Sequence, residues 1–447
     1  MVVFSVKSFM RFTLIILCAT ALLFFMLTGL RGTIFEVSLA RRTLGGFLML
    51  RELFLLIVLG VLIFEAIGYE SFVTFYITKE SLEETSIVIL VCLGLLIATI
   101  AFMSKTIFRR KLMWSRSDRQ HTSTSDAGRS LIFASTLMLL FLIVAGHAAG
   151  MKPAFLQSIS SGTDLMQLRL ANKNEITGPP HILAYIRYLF QLTALLVGLY
   201  SVSMSRARVL LTMAIVVYAA ALPGDKAPII QVLVLYFLGR LRNIRSSPYL
   251  IIQRALMLGA LSFFAIYFVT LVQYPEMQFS EFIRFVFERL GIGQIQGVYE
   301  QFSVKLQDPA YVLSEIPLSG LFGESRAFSK DLMGITYGFY LDSTEFGVMN
   351  SFFIGEAFAI GGWVLVWLSP VFVGFNFCVI VYMTVRVLNE KFKLPVAEAK
   401  YVAALFISAS VTFTGDLGGL LFGKRVLVVA ILFFALYIFY KAGKIKF

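Results

Sequence analysis

The feature that most constrains this chain is the recurrence, from one end to the other, of apolar runs long enough to cross a bilayer. They lie near 11–30, 52–68, 86–104, 130–149, 181–204, 209–222, 227–239, 255–273, 363–385, 400–414 and 426–440. A hydrocarbon core about 30 Å thick takes roughly 20 residues of helix. In lipid every backbone polar group must be paired within the segment, which selects helix over open strand. Hydrophobic residues make up 58% of the chain and charged residues 15%, at a mean hydropathy of +0.84. Soluble domains carry about 25% charge, so this chain has too little polar surface to cover a globule in water. The expected fold class is an all-α polytopic membrane protein of about 11 transmembrane helices, forming a single integral membrane domain over 1–447. The sixth and seventh runs are short and are separated by Pro223-Gly224-Asp225-Lys226. That pattern fits either a tight hairpin or two half-helices around a polar site.

Charge orders the topology. The loop at 105–129 carries Lys105, Arg109, Arg110, Lys111, Arg116, Arg119 and Arg129, which marks it as cytoplasmic. Alternating outward from it, cytoplasmic segments hold 24 of the 39 basic residues and external ones 15. The acidic loop at 69–85 falls outside, the C-terminus inside and the N-terminus outside, although Lys7 and Arg11 argue against that last placement. The first apolar run is long enough to span and no small-residue cleavage site follows it, so it reads as an anchor rather than a signal peptide. The formal charge of +13 belongs to these short loops. No basic face is interleaved with aromatics for stacking bases, so nucleic acid is not an expected partner. Cys18, Cys92 and Cys378 lie inside apolar runs without metal or disulfide spacing and read as packing residues. Two external segments are long: 150–180 and the large loop 274–351. The second contains Phe282, Phe285 and Val286 at helical spacing, as in a helix lying on the bilayer surface.

Signatures of soluble enzymes are missing: no P-loop, dinucleotide fingerprint, metal-binding His motif or nucleophile elbow. The three histidines, His121, His147 and His181, are isolated and read as structural. Cations gather instead on the external side: Arg169, Arg187, Lys226, Arg289, Arg326, Lys424 and Arg425. Ionisable residues near membrane depth are costly and mark function, against the plainer alternative of snorkelling interface residues. Together they suggest a convergent anion site, in which Arg binds phosphate in two-pronged fashion and Lys as a point charge. A lipid-linked diphosphate is an obvious ligand. Three acids are candidates for acid–base work: Glu300, after a run of glycines, and Glu345 and Glu356, which flank Asn350 where the large loop returns to the membrane. Glu356 stands in an otherwise apolar segment, where it serves either as a base of raised pKa or as an anchor for the loop.

The stretch 345–363, Glu-Phe-Gly-Val-Met-Asn-Ser-Phe-Phe-Ile-Gly-Glu-Ala-Phe-Ala-Ile-Gly-Gly-Trp, resembles the segment after the large periplasmic loop of bacterial oligosaccharide repeat-unit polymerases, the Wzy-type O-antigen and enterobacterial-common-antigen enzymes. Leu168-Arg169-Leu170 and Ile186-Arg187-Tyr188 resemble their first periplasmic loop and the helix after it. Gly224-Asp225-Lys226-Ala227-Pro228 resembles their glycine turn, which commonly carries Arg where this chain has Lys226. Gly423-Lys424-Arg425-Val426 resembles the basic start of their last helix. The likeness covers roughly 130–440. It implies a glycosyltransferase of GT-C type in the cell inner membrane with its active site facing the periplasm. The growing glycan would pass from its undecaprenyl-diphosphate carrier to a new undecaprenyl-diphosphate-linked oligosaccharide, within the membrane lipid. The resemblance implies no metal and no cofactor, and it points to a chain-length regulator protein as a partner. Two rival classes remain. An O-antigen ligase is expected to use a His in its large periplasmic loop, and 274–351 has none. A flippase of lipid-linked oligosaccharides is expected to show two similar halves, and no internal repeat is evident.

Overall fold

The computed structural model describes the chain except residues 1–5, 39–42, 68–76, 78, 116–125, most of 152–181, 225, 243–247, 274–275, 320–325, 338–348, 416 and 444–447. Every apolar run is helical. In chain order the helices are α1 (Val6–Gly29), α2 (Gly45–Leu50), a π-helical stretch (Arg51–Val58), α3 (Leu59–Ile67), α4 (Lys79–Lys105), α5 (Arg109–Leu112) and α6 (Asp126–Ala148). They continue with α7 (Ile182–Tyr200), α8 (Arg206–Ala221), α9 (Lys226–Leu241), α10 (Pro248–Gln273), α11 (Phe279–Leu290), α12 (Ile292–Val304) and α13 (Val312–Glu315). The last four are α14 (Phe328–Tyr337), α15 (Ile354–Glu390), α16 (Val396–Ser410) and α17 (Lys424–Gly443). Among the described residues there is no strand, only isolated bridges such as Phe352 with Thr414.

Among the described residues, seven helices are long and apolar enough to cross a membrane: α1, the continuous run from α2 to α3, α4, α6, α7, α15 and α17. Large apolar side chains stand in the open on these and on other helices of the bundle, among them Val364 of α15 at 71% exposure, Leu210 of α8 at 71% and Phe264 of α10 at 63%. Such continuous exposure suits lipid as the solvent rather than water. The protein is thus an all-α, membrane-embedded molecule. Helices α8, α9 and α16 have 16, 16 and 15 residues, or roughly 23 Å at 1.5 Å per residue. They fall short of the hydrocarbon thickness.

Some element boundaries differ from the sequence expectation. The run at 52–68 begins at Gly45, so Arg51 is a helix residue and not part of a loop. The run at 363–385 extends back to Ile354, past a break at Gly361 and Gly362. The run at 400–414 stops at Ser410. The large loop holds four helices, α11 to α14, and α11 covers the amphipathic stretch expected to be helical.

Contacts sort the bundle into two ends. At one, Lys400 Nζ donates to the Met113 carbonyl at 2.7 Å, Lys111 pairs with Glu390 at 3.4 Å, and Tyr440 donates to the Phe392 carbonyl at 3.2 Å. This basic end holds the connections rich in Lys and Arg. At the other, the loop end, α12 to α14 sit over the helix termini. There Arg11 pairs with Glu65 at 2.6 Å and with Glu83 at 2.7 Å. Arg11 is therefore held by two carboxylates of its own end.

Helix α7 is the axis of the bundle: from Tyr188 to Tyr200 every residue is buried. It lies against α9 with the two backbones in contact. A Cβ at Gly198 would meet the Tyr236 carbonyl, with that carbon at 2.9 Å, and one at Gly239 would meet the Leu195 carbonyl oxygen. Small residues are what permit such an approach in a membrane bundle. The approach sets a register in which position i of α7 faces about i+40 of α9, marked by Gln191 Nε2 donating to Gln231 Oε1 at 2.9 Å.

Candidate functional site

The connection from α16 to α17, residues 411–423, turns through the interior of the loop end instead of over its surface. Val411, Phe413, Leu417, Gly419, Leu420 and Leu421 are buried. Its glycines make this path possible: Gly415, Gly418, Gly419 and Gly423 all have positive φ, the region that L side chains avoid. Buried irregular backbone needs partners for its N–H groups. Three buried glutamates supply them from distant parts of the chain. Glu52 Oε1 accepts from the Phe413 N–H at 2.9 Å. Glu356 Oε2 accepts from the Leu417 N–H. Glu315 accepts from the Gly419 N–H at 2.6 Å and the Leu421 N–H at 3.0 Å. Asn376 Nδ2 donates to the carbonyls of Leu420 at 2.6 Å and Leu421 at 3.1 Å. Ser314 Oγ donates to the other oxygen of Glu356 at 3.0 Å. Hydrogen bonds to carboxylates are the strong kind, so the loop is held rigidly.

Cations stand at both ends of this loop. It ends at Lys424, whose Nζ donates to the Ser314 carbonyl at 3.1 Å, and Arg425, whose Nε donates to the Gly418 carbonyl at 3.0 Å. Arg425 Nη1 is buried and has no hydrogen-bond partner among the described residues. The loop begins at Ser410, whose hydroxyl donates to Gln191 Oε1 on α7. One turn before Gln191 stands Arg187, exposed on α7. The α7–α9 register places Arg187 opposite 227, beside the backbone of Lys226 at the start of α9. Helices α7, α9 and α17 all begin at this end, so their positive dipole ends lie there too. Cations in the first turns of helices repel that dipole, an arrangement that suits a bound anion.

The structure thus brings Glu356 and Arg425 to one loop, and the α7–α9 register sets the backbone at Lys226 opposite that at Arg187 near its start. Arg289, placed by its backbone, lies in α11, which leads directly into α12 at the same end. Glu300 is fully buried on α12, and its Oε1 accepts from Gln296 Nε2 at 3.3 Å. Helix α12 packs on the start of α15, where Val298 Cα lies 3.6 Å from a Cβ built on Gly355. Arg326 has another engagement: it pairs with Asp308 at 2.9 Å and Asp331 at 3.0 Å on the exposed surface. Tyr311 also donates to Asp331 there, at 2.8 Å, and burial together with that carboxylate pushes its phenol pKa above the ordinary value. Arg169 and Glu345 lie outside the described residues.

Sequence reasoning missed Glu52 and Glu315. Glu52 had a signal, an acid at the edge of an apolar run; Glu315 had none. Asn376 and the pair Gln191 and Gln231 were also overlooked, although polar side chains within apolar runs are a usable cue. Comparison with known proteins returns no neighbour: no family model, curated protein or solved structure matches this chain.

Proposed function

We propose that the protein is a membrane glycosyltransferase that joins diphosphate-lipid-linked oligosaccharide repeat units into a polysaccharide, working at its loop end on the periplasmic side of the bacterial inner membrane. The observation that carries this reading is the glycine loop 411–423, with cationic residues of α7, α9 and α17 placed at its two ends and a buried Arg425 nitrogen without a hydrogen-bond partner among the described residues. On this reading all eleven apolar runs cross the membrane. The basic end then faces the cytoplasm, in keeping with the excess of Lys and Arg there.

The chemistry asks for groups of these kinds. The acceptor hydroxyl oxygen attacks the anomeric carbon of the growing chain, and the bond from that carbon to the lipid diphosphate breaks. Charge accumulates on the departing diphosphate, where fixed cations lower the barrier. Arg425, Arg187 and Lys226 take that role, with Arg289 and Arg169 supporting from the flanking segments. Arg326, tied to two aspartates, contributes least. The acceptor's proton goes to a carboxylate. Glu356 already accepts from Leu417 and Ser314, so its task is to hold the loop. Glu345 and Glu300 are the acids left for proton transfer.

The test uses purified protein in liposomes with an undecaprenyl-diphosphate-linked repeat unit, read as polymer length on a gel. Arg425→Ala should abolish polymer at equal protein level, while Lys391→Ala, at the basic end, should leave it intact. Equal loss from both, or no loss from Arg425→Ala, refutes the assignment.

A further inference from the structure

At the basic end, between the termini of α4 and α15, lies a cavity of about 520 Å³. Arg109, Arg110 and Lys111 of α5 line one wall and Arg386 and Glu390 of α15 the other. Four cations against one carboxylate leave a formal excess of +3. Glu390 is shared, accepting from Arg386 Nε at 2.9 Å and from Lys111 Nζ at 3.4 Å. Arg109 and Arg110 are exposed and have no carboxylate partner among the described residues. An uncompensated cluster of this kind repels itself and attracts an anion.

The surroundings say which anion. Phe108 stacks on Tyr382 with ring centroids 5.0 Å apart and approaches Phe375 at 6.4 Å. On α15, Phe375, Tyr382 and Arg386 follow at spacings of seven and four, so they share one helix face. That face passes from an apolar, outward-pointing surface to the cationic cavity. The neighbouring stripe of α4 does the same, with Phe102 58% exposed just before the cavity. A soluble anion would use only the cavity. A phosphate carrying acyl chains would use the cavity and the apolar strip together.

We propose that this cavity binds the headgroup of an anionic glycerophospholipid, with its acyl chains lying along the outward-facing groove between α4 and α15. Arg109, Arg110 and Arg386 hold the phosphate, for which a guanidinium is geometrically suited. Glu390 keeps Arg386 and Lys111 oriented. The site is independent of the glycan-transfer reading, since it lies at the opposite end of the bundle.

The test places the full-length protein in nanodiscs of phosphatidylcholine mixed with phosphatidylglycerol and counts retained lipids by native mass spectrometry. Wild type should retain phosphatidylglycerol in preference. The triple variant Arg109→Gln, Arg110→Gln, Arg386→Gln should retain at least roughly tenfold less. A control of equal charge loss at the same end, Arg206→Gln, Arg208→Gln, Arg240→Gln, should behave as wild type. With wild-type protein, which depends on no variant's folding, inorganic phosphate and glycerophosphoglycerol should fail to displace the lipid. Equal retention by the cavity variant and wild type overturns the proposal, and so does equal loss in the control. Displacement by inorganic phosphate replaces the lipid with a soluble anion and overturns it as well.

Discussion

A pair of glycine substitutions separates the loop's backbone role from its role in setting Arg425. Gly418 has φ +59°, and a Cβ built there would overlap Arg425 Nη2 and lie 2.9 Å from its Cζ. Gly423 has φ +79° and meets nothing within 4 Å. Alanine at either position therefore incurs the same left-handed strain, about 1–2 kcal/mol. Only Gly418→Ala also expels the guanidinium and breaks its hydrogen bond to the Gly418 carbonyl, which adds about 1.5–3 kcal/mol. The guanidinium is the far end of a flexible side chain, so the loop survives while the cation moves. Removing one preorganised group that stabilises developing charge costs about 10²–10³ in rate. Thermal unfolding in detergent should show both variants destabilised, Gly418→Ala the more so. Initial rates of polymer formation per folded protein should fall about a hundredfold or more for Gly418→Ala, match Arg425→Ala, and stay near wild type for Gly423→Ala. If the two alanine variants lose activity equally, the loop acts through its backbone alone and the argument for Arg425 fails.

Two further outcomes are expected. Glu315→Ala leaves the buried N–H groups of Gly419 and Leu421 without their acceptor and should cost about 2–6 kcal/mol of stability; Glu315→Gln, which keeps one acceptor oxygen, should cost about half as much, and unfolding curves showing no loss in either variant would rule out the clamp. In a variant without Cys18, Cys92 and Cys378, a cysteine at Ala310 should react with an impermeant thiol reagent in whole cells and one at Ser115 should not; the reverse pattern would invert the orientation and move the loop end to the cytoplasm.

How much of this protein its sequence determines follows from the range of the forces involved. The helices are written locally, because an apolar run in lipid can pair its backbone only with itself, and each run expected to be helical is helical. The division into a basic end and a loop end is legible from the excess of Lys and Arg in alternate connections. Gly423-Lys424-Arg425 is legible as a turn into a basic helix start, and Glu356 stands out as an acid among apolar neighbours. The boundary at Arg51 was not legible. A charged residue at the edge of an apolar run looks like a loop, and only packing shows that helix already starts at Gly45.

The site itself belongs to the tertiary structure. Glu52, Glu315 and Glu356 converge on nine residues of backbone, 413–421, from positions 361, 104 and 61 residues away from the groups they bind. No local spacing encodes that meeting. It arises because a buried N–H must find an acceptor wherever the fold brings one. The backbone positions of Arg187 and Lys226 are set opposite each other for a similar reason: two glycines let α7 and α9 touch backbone to backbone, and that contact sets their register. Arg326 makes the converse point. In the sequence it counts equally with the other external cations, but in the fold two aspartates hold it. A residue's charge is a local property; whether that charge is already neutralised depends on long-range packing, which the order of residues along the chain does not display.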